Sequence, residues 1–191
     1  MNQNTITAQT LIDTWPTFEA KIVSFLADLQ LDRLNMVCDH VALRVNSDTA
    51  ADSLRDHFCH QGAIISNNMI NGRPILIIEL NTPLMLGPMC IDCVELPYPG
   101  EKQYPNEGWE HIELVLPGNA CNGQQLSAQL IEAVPTLAPV IAGDSEIDVK
   151  LSSPQGEHER LANPTIAFKH QGLCIKVHAH GIKAIIASEK R

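Results

Sequence analysis

Apolar residues recur at three- and four-residue spacing from about Thr7 to Gln30: Leu11, Ile12, Trp15, Phe18, Ile22, Phe25, Leu26 and Leu29. That is the period of an amphipathic helix. Pro16 is expected to start a second helix or to kink the first. The aromatic positions follow the helical period, so they belong to a core rather than to a ligand box. The period then drops to two. In Asp39-His40-Val41-Ala42-Leu43-Arg44-Val45, alternate residues are apolar, as on a half-buried strand. Val41, Leu43 and Val45 face one way; His40, Ala42 and Arg44 face the other. Asn46-Ser47-Asp48 is a helix start, with Asn46 or Ser47 as cap, and Gly62 closes the helix over 49–61. Ala63 to Ser66 is a short strand, Asn67 to Gly72 a turn-rich connection, and Pro74 to Leu80 and Cys90 to Leu96 are apolar strands. The order is β-α-β-β-β.

The same order follows a Pro- and Gly-rich hinge, Pro97 to Gly108. Glu110-His111-Ile112-Glu113-Leu114-Val115-Leu116 repeats the first strand 71 residues later. Ile112, Leu114 and Leu116 share one face; His111, Glu113 and Val115 share the other. A helix covers about Gly123 to Ala133. Strands follow at Ile147 to Leu151, Thr165 to Lys169 and Leu173 to Ala179. Residues 152–164 are a long polar loop, either a lid or a solvated excursion, carrying Glu157, His158, Glu159 and Arg160. Ile182 to Ala187 is a short closing helix. The pattern predicts an α+β fold in which two paired βαβββ modules form a curved mixed sheet around a cleft, behind an N-terminal helical layer. The boundaries are N-terminal helices 7–30, module one 37–96, linker 97–108, module two 109–180 and tail 181–191, all in a single domain.

The 191 residues suffice for a core without disulfides or structural metal. The six cysteines read as reduced thiols. Cys90 and Cys93 sit three apart on a strand and point to opposite faces, which argues against a zinc or redox pair. With 13 basic against 22 acidic residues the net charge is −9, and no basic run exists. Nucleic acid is therefore not an expected partner, and neither is an anionic membrane surface. No apolar run reaches the ~18 residues of a span. The N-terminus lacks the pattern of a secretory signal, and a cytoplasmic location is expected.

Chemistry concentrates on the polar face of the repeat. Aligning Val94-Glu95-Leu96 with Val177-His178-Ala179 makes His40, Glu95, His111 and His178 equivalent positions, two from each half. Three imidazoles and a carboxylate suit a divalent metal ion such as zinc, nickel, iron or manganese. A single strand histidine is more often structural; four ionisable groups in one cleft would be costly without a common role. His57 and His60 fall on the first helix surface and His170 at a hairpin turn. His180 shares the face of His178 and is an alternative ligand. Arg44, Arg73, Glu113 and Lys176 fall on or near the cleft face as candidate substrate-binding residues. Arg44 either grips a substrate carboxylate or forms a salt bridge with Glu113.

Longer stretches carry a family resemblance. Glu95-Leu96-Pro97-Tyr98-Pro99-Gly100-Glu101-Lys102, Tyr104-Pro105 and Glu107-Gly108-Trp109-Glu110-His111-Ile112-Glu113 resemble the YecM family of bacterial proteins. So do Asn68-Met69-Ile70-Asn71-Gly72-Arg73-Pro74-Ile75, Ser152 to Leu161, and Asn163-Pro164. That family is similar to the vicinal-oxygen-chelate superfamily of glyoxalase I, extradiol dioxygenases and bleomycin-resistance proteins. The resemblance implies paired βαβββ modules with ligands on the first and fourth strands, here His40, Glu95, His111 and His178. Glyoxalase-like members usually end in a carboxylate where this chain has His178. Either the ligands are three histidines plus Glu95, or His178 is an acid/base beside a His40, His111, Glu95 triad. In this reading Glu95 and His178 are the catalytic candidates.

The expected function is that of a metal-dependent enzyme on a small oxygen-rich molecule, of isomerase, lyase or dioxygenase type. The alternative is a protein that sequesters a small-molecule ligand in the same cleft without turnover. A purely structural module is the third reading. Both modules lie in one chain, so a monomer can complete the cleft, and a homodimer remains compatible with the sequence.

Overall fold

The computed structural model describes residues 6–153 and 161–189. Helix α1 (Ala8–Asp28) starts at Thr7, whose hydroxyl accepts from the Thr10 N–H at 3.2 Å. It runs through Pro16 as a single helix instead of breaking there. A 3-10 turn, Leu31–Arg33, leads into β1 (Val37–Arg44). Module one continues with α2 (Asp48–Cys59), β2 (Gly62–Ile70), β3 (Arg73–Leu86) and β4 (Met89–Pro97). Module two holds β5 (Gly108–Val115), α3 (Gly123–Ala133), α4 (Leu137–Ala142), β6 (Asp148–Ser152), β7 (Thr165–His170) and β8 (Leu173–His178); α5 (Ile182–Glu189) closes the chain. Ser47 caps α2 through the Ala50 N–H.

The strands form one eight-stranded mixed sheet in the order β2-β3-β4-β1-β5-β8-β7-β6. Each module places its first strand parallel to its fourth, and the two first strands meet antiparallel at the centre. A pseudo-twofold axis therefore passes near the Val41–Ile112 pair. The α+β class and the paired modules expected from the sequence are observed.

One face of the sheet carries the main core. Val41, Leu43, Val94, Leu96, Ile112, Leu114, Ile175 and Val177 pack there beneath Leu11, Ile22 and Phe25 of α1, Leu54 of α2 and Leu126 of α3. Trp109 anchors α1 by donating from Nε1 to the Leu11 carbonyl at 2.9 Å, edge-on to Trp15. The other face holds the cleft. A smaller apolar cluster of Ile77, Cys93 and Ile186 seats α5 against that face.

Three expectations are revised. β2 extends through Asn67 and Asn68, which pair with Leu76 and Ile75 across the hairpin. The turn is only Asn71-Gly72, both at positive φ, as a two-residue hairpin requires. β3 continues beyond Leu80 across a break in register between Glu79 and Leu84, which accommodates Pro83 where a regular ladder could not. α4 was not foreseen. Of the polar loop 152–164, residues 154–160, with Glu157, His158, Glu159 and Arg160, lie outside the described residues.

Candidate metal centre

The central pair of strands is not a plain ladder. On β1, Cys38 faces Leu114 and His40 faces Glu113, so Asp39 is an extra residue. On β5, Ala42 faces His111 and Leu43 faces Trp109, so Glu110 is an extra residue. Both are β-bulges, related by the pseudo-twofold axis. Simple alternation would send Asp39 and Glu110 into the core. The bulges turn each acid to the cleft side, next to the histidine that follows it. Cys38 and Trp109 take up the core positions instead.

The consequence is a matched pair of contacts. His40 Nδ1–H donates to Asp39 Oδ1 at 3.0 Å, and His111 Nδ1–H donates to Glu110 Oε2 at 3.0 Å. Each imidazole thereby turns Nε2 into the cleft. His111 Nε2 lies 3.1 Å from Glu113 Oε1. His40 Nε2 lies 3.6 Å from both Glu113 Oε1 and Glu95 Oε2, beyond hydrogen-bond length. It is a buried ring nitrogen without a hydrogen-bond partner, on a residue only 1% exposed. Donor atoms of His40, His111 and Glu113 all lie within 4.8 Å of one another. Two imidazoles and a carboxylate around an orphaned nitrogen fit a divalent ion, and the donor set matches that of open iron(II) and zinc sites.

Glu113 is buried among cations. Burial pushes its carboxyl up, but Lys176, His40 and His111 reverse this and hold it well below the usual carboxylate range. Lys176 Nζ donates to Glu113 Oε1 at 2.8 Å. Burial likewise opposes charge on His40, yet Asp39 and Glu113 raise its pKa well above the ordinary imidazole value. Glu110 is lowered to about 2: burial raises it, and His111, Arg44 and Lys176 outweigh that.

His178 lies beside this group, in a different role from its strand partners. Asn163 Nδ2 donates to His178 Nδ1 at 3.0 Å, and His178 Nε2–H lies 3.3 Å from Asp39 Oδ1. Asn163 is oriented in turn by the His180 N–H, which donates to its Oδ1 at 3.1 Å. Both ring nitrogens of His178 are therefore engaged by protein atoms, and His180 meets the site through its backbone. Strand register also revises the repeat. β4 pairs Glu95 with Ala42, and β8 pairs Lys176 with Glu113. The counterpart of Glu95 is thus Lys176; His178 lies two residues further on. A shift of two preserves the face, so alternation alone cannot reveal it.

Arg44 pairs with Glu110, not Glu113, and its guanidinium sits 4.2 Å over the Tyr104 ring. Tyr104 belongs to the linker, which Asn46 pins by bonds to the Tyr104 N–H and carbonyl at 2.8 and 2.7 Å. Arg73 reaches the Tyr98 carbonyl at 3.4 Å. Of these residues Arg73, Tyr104 and Glu110, with Ile70, Asn71, Lys169 and the α5 residues Ile182 and Ile185, line a cleft of about 290 Å³ over the three donors, and Arg44 lies outside it. Sequence reasoning missed Asp39, Glu110, Asn163 and Lys169. The signal for the first two was present: an acid precedes the histidine in both copies, at positions that alternation assigns to a core face.

Paired βαβββ modules sharing one sheet, with a buried histidine–carboxylate cluster at their seam, define an α+β protein with a candidate metal centre between two repeats. The chain belongs to the YecM family, whose model matches residues 7–189. It is 40% identical over 182 residues to Protein YecM of Escherichia coli, covering 95% of this chain and 94% of that protein. An uncharacterized protein of Haemophilus influenzae is 35% identical over 178 residues, covering 91% and 90%. The solved structure titled Structural Genomics, Protein EC4020, superposes with a TM-score of 0.77 at 34% identity, covering 98% of this chain and 95% of that one.

Proposed function

We propose that the chain binds a divalent metal ion through His40, His111 and Glu113 and acts as an enzyme on a small, oxygen-rich anion. The observation that carries this reading is the buried, unbonded Nε2 of His40 facing His111 and Glu113. When bound, such an ion supplies Lewis acidity to neighbouring substrate oxygens. Glu95, the carboxylate left outside the three-donor group, faces the same space and accepts or returns a substrate proton. His178 acts through Asp39, because its own nitrogens are engaged. Two cations favour an anionic substrate. The Arg73 side chain holds a single long bond to a carbonyl, and the Lys169 ammonium forms no hydrogen bond or ion pair among the described residues. The cleft volume of about 290 Å³ suits a small molecule. Arg44 and Lys176 act indirectly in this scheme, holding Glu110 and Glu113.

Elemental analysis of tag-free protein, followed by titration with Zn²⁺, Fe²⁺, Ni²⁺ and Mn²⁺, tests the proposal. One tightly bound ion per chain is expected, lost in both His40→Ala and His111→Ala. Absence of binding by the wild type, or undiminished binding by both variants, would sink it.

A further inference from the structure

We propose that Asp39 and Glu110 are paired positioning residues that fix the tautomer and the aim of the two histidine ligands. The proposal rests on the divalent-ion reading of the cleft. It adds a role for two acids that do not touch the ion.

Three observations converge. The first is the location of the acids at the two bulges. Each occupies the extra residue in its strand, and each bulge lies one residue before a histidine. A regular strand would have put either acid on the helix-covered face, away from its histidine. The second is the atoms used. Both acids contact Nδ1, at 3.0 Å in each case, and neither contacts Nε2 of its own histidine. A carboxylate only accepts hydrogen bonds, so Nδ1 of each ring carries a proton, and Nε2 is the nitrogen left to bind an ion once any proton it holds is displaced. The third is what holds the acids. Arg44 pairs with Glu110. Asp39 is held from the other end of the chain: its Oδ2 accepts the Ile182 N–H at 2.5 Å, and its Oδ1 meets His178 Nε2. Both carboxylate oxygens of each acid are thus engaged, so neither turns freely as a surface group would.

An acid bonded to the far nitrogen of a ligating imidazole fixes the ring and raises its basicity, and losing such a partner typically costs 10–100-fold in metal affinity. The repeated acid–histidine pair therefore reads as one device used twice. It has a different support on each side, a linker-stacked arginine for Glu110 and the last helix for Asp39.

The test uses the full chain and zinc itself. Competition titration should give a Zn²⁺ dissociation constant raised about 10–100-fold in Glu110→Gln and in Asp39→Asn. Asp56→Asn removes the same charge from an exposed carboxylate that pairs with Arg55 on α2, away from the cleft and from α5, and should leave affinity unchanged. Asp39→Asn also alters the start of α5, so Glu110→Gln is the decisive variant if Asp39→Asn folds poorly. Long-range ¹H–¹⁵N spectra of zinc-loaded wild type read the tautomers without any mutation. His40 and His111 should both carry their proton on Nδ1. Wild type that binds no ion removes the metal reading, and this inference with it. Wild type that binds zinc while Glu110→Gln binds equally well, or with either histidine protonated on Nε2, overturns the positioning role alone.

Discussion

His40 sets the response of the molecule to pH. Its folded pKa is raised, because Asp39 and Glu113 outweigh the opposing effect of burial. In the metal-free protein, the stability from those contacts is fully present below the ordinary imidazole value of ~6.5 and is lost as pH rises through the raised folded value. Glu110 and Glu113 work in the opposite sense. Their folded values are depressed, so their contribution is present above the ordinary carboxylate value and is lost as pH falls, for Glu110 down to about 2. A divalent ion changes the sign at His40, since it must displace the Nε2 proton to bind. The zinc-induced rise in unfolding temperature should therefore grow from about pH 5 to about pH 8, while in EDTA the midpoint falls as pH climbs above neutrality. Equal zinc-induced shifts at the two pH values would contradict the assignment of His40 as a ligand. Glu113 matters for a second reason. Its repeat counterpart is Ala42, and that of Glu95 is Lys176, so the two modules place their acids on different strands. That exchange gives the seam one buried carboxylate bonded to a lysine and one facing it without such a bond.

Among the elements, the strands and the two first helices of the modules were legible, because each shows a clean period of two or 3.6 residues. The unforeseen features all break a period. Asn67 and Asn68 have turn chemistry but lie in an edge hairpin, where pairing with Leu76 and Ile75 outweighs local preference. The bulges at Asp39 and Glu110 were hidden by the assumption of strict alternation. They were also announced by it, because an acid assigned to a core face is a contradiction that one inserted residue resolves. His40 and His111 were found because they repeat. Glu113 was placed in the cleft by its face, but its approach to His40 Nε2 depends on register with β1, which no single strand encodes. The Asn71-Gly72 turn gives a prediction at this scale. Gly72 sits at φ +76° with no atom near its missing Cβ, so the cost of a side chain there is backbone strain alone. Gly72→Ala should lower stability by about 1–2 kcal/mol in chemical denaturation, with zinc affinity little changed. A neutral effect would mean the hairpin relaxes to another turn.

At the level of the whole molecule, the helix-covered face supplies the packing and the other face supplies the chemistry. Within the described residues, no helix is long and apolar enough to cross a membrane. α5 is the exception to the division of faces. It crosses to the cleft side, where Ile186 packs on Ile77 and Cys93, and Lys183 pairs with Glu79 and Asp92. Removing the chain from Ile182 onward should weaken zinc binding about 10–100-fold by freeing Asp39, even if the remaining sheet stays folded. Circular dichroism beside zinc titration separates the two effects. Unchanged affinity in a folded truncation would show that α5 does not support the site.

The bond from Asp39 to the Ile182 N–H spans 143 residues. A polypeptide is made from its N-terminus, so β1 and His40 leave the ribosome long before α5 does. Glu110 finds His111 as its neighbour and Arg44 already made, and that half of the seam has its partners as soon as β5 pairs with β1. Asp39 must wait for the closing helix to receive its final donor. On the proposed metal reading, His40 is the first of the three ligands to be synthesised and the last to be locked, so metal binding at full strength would report that α5 has been made and has docked.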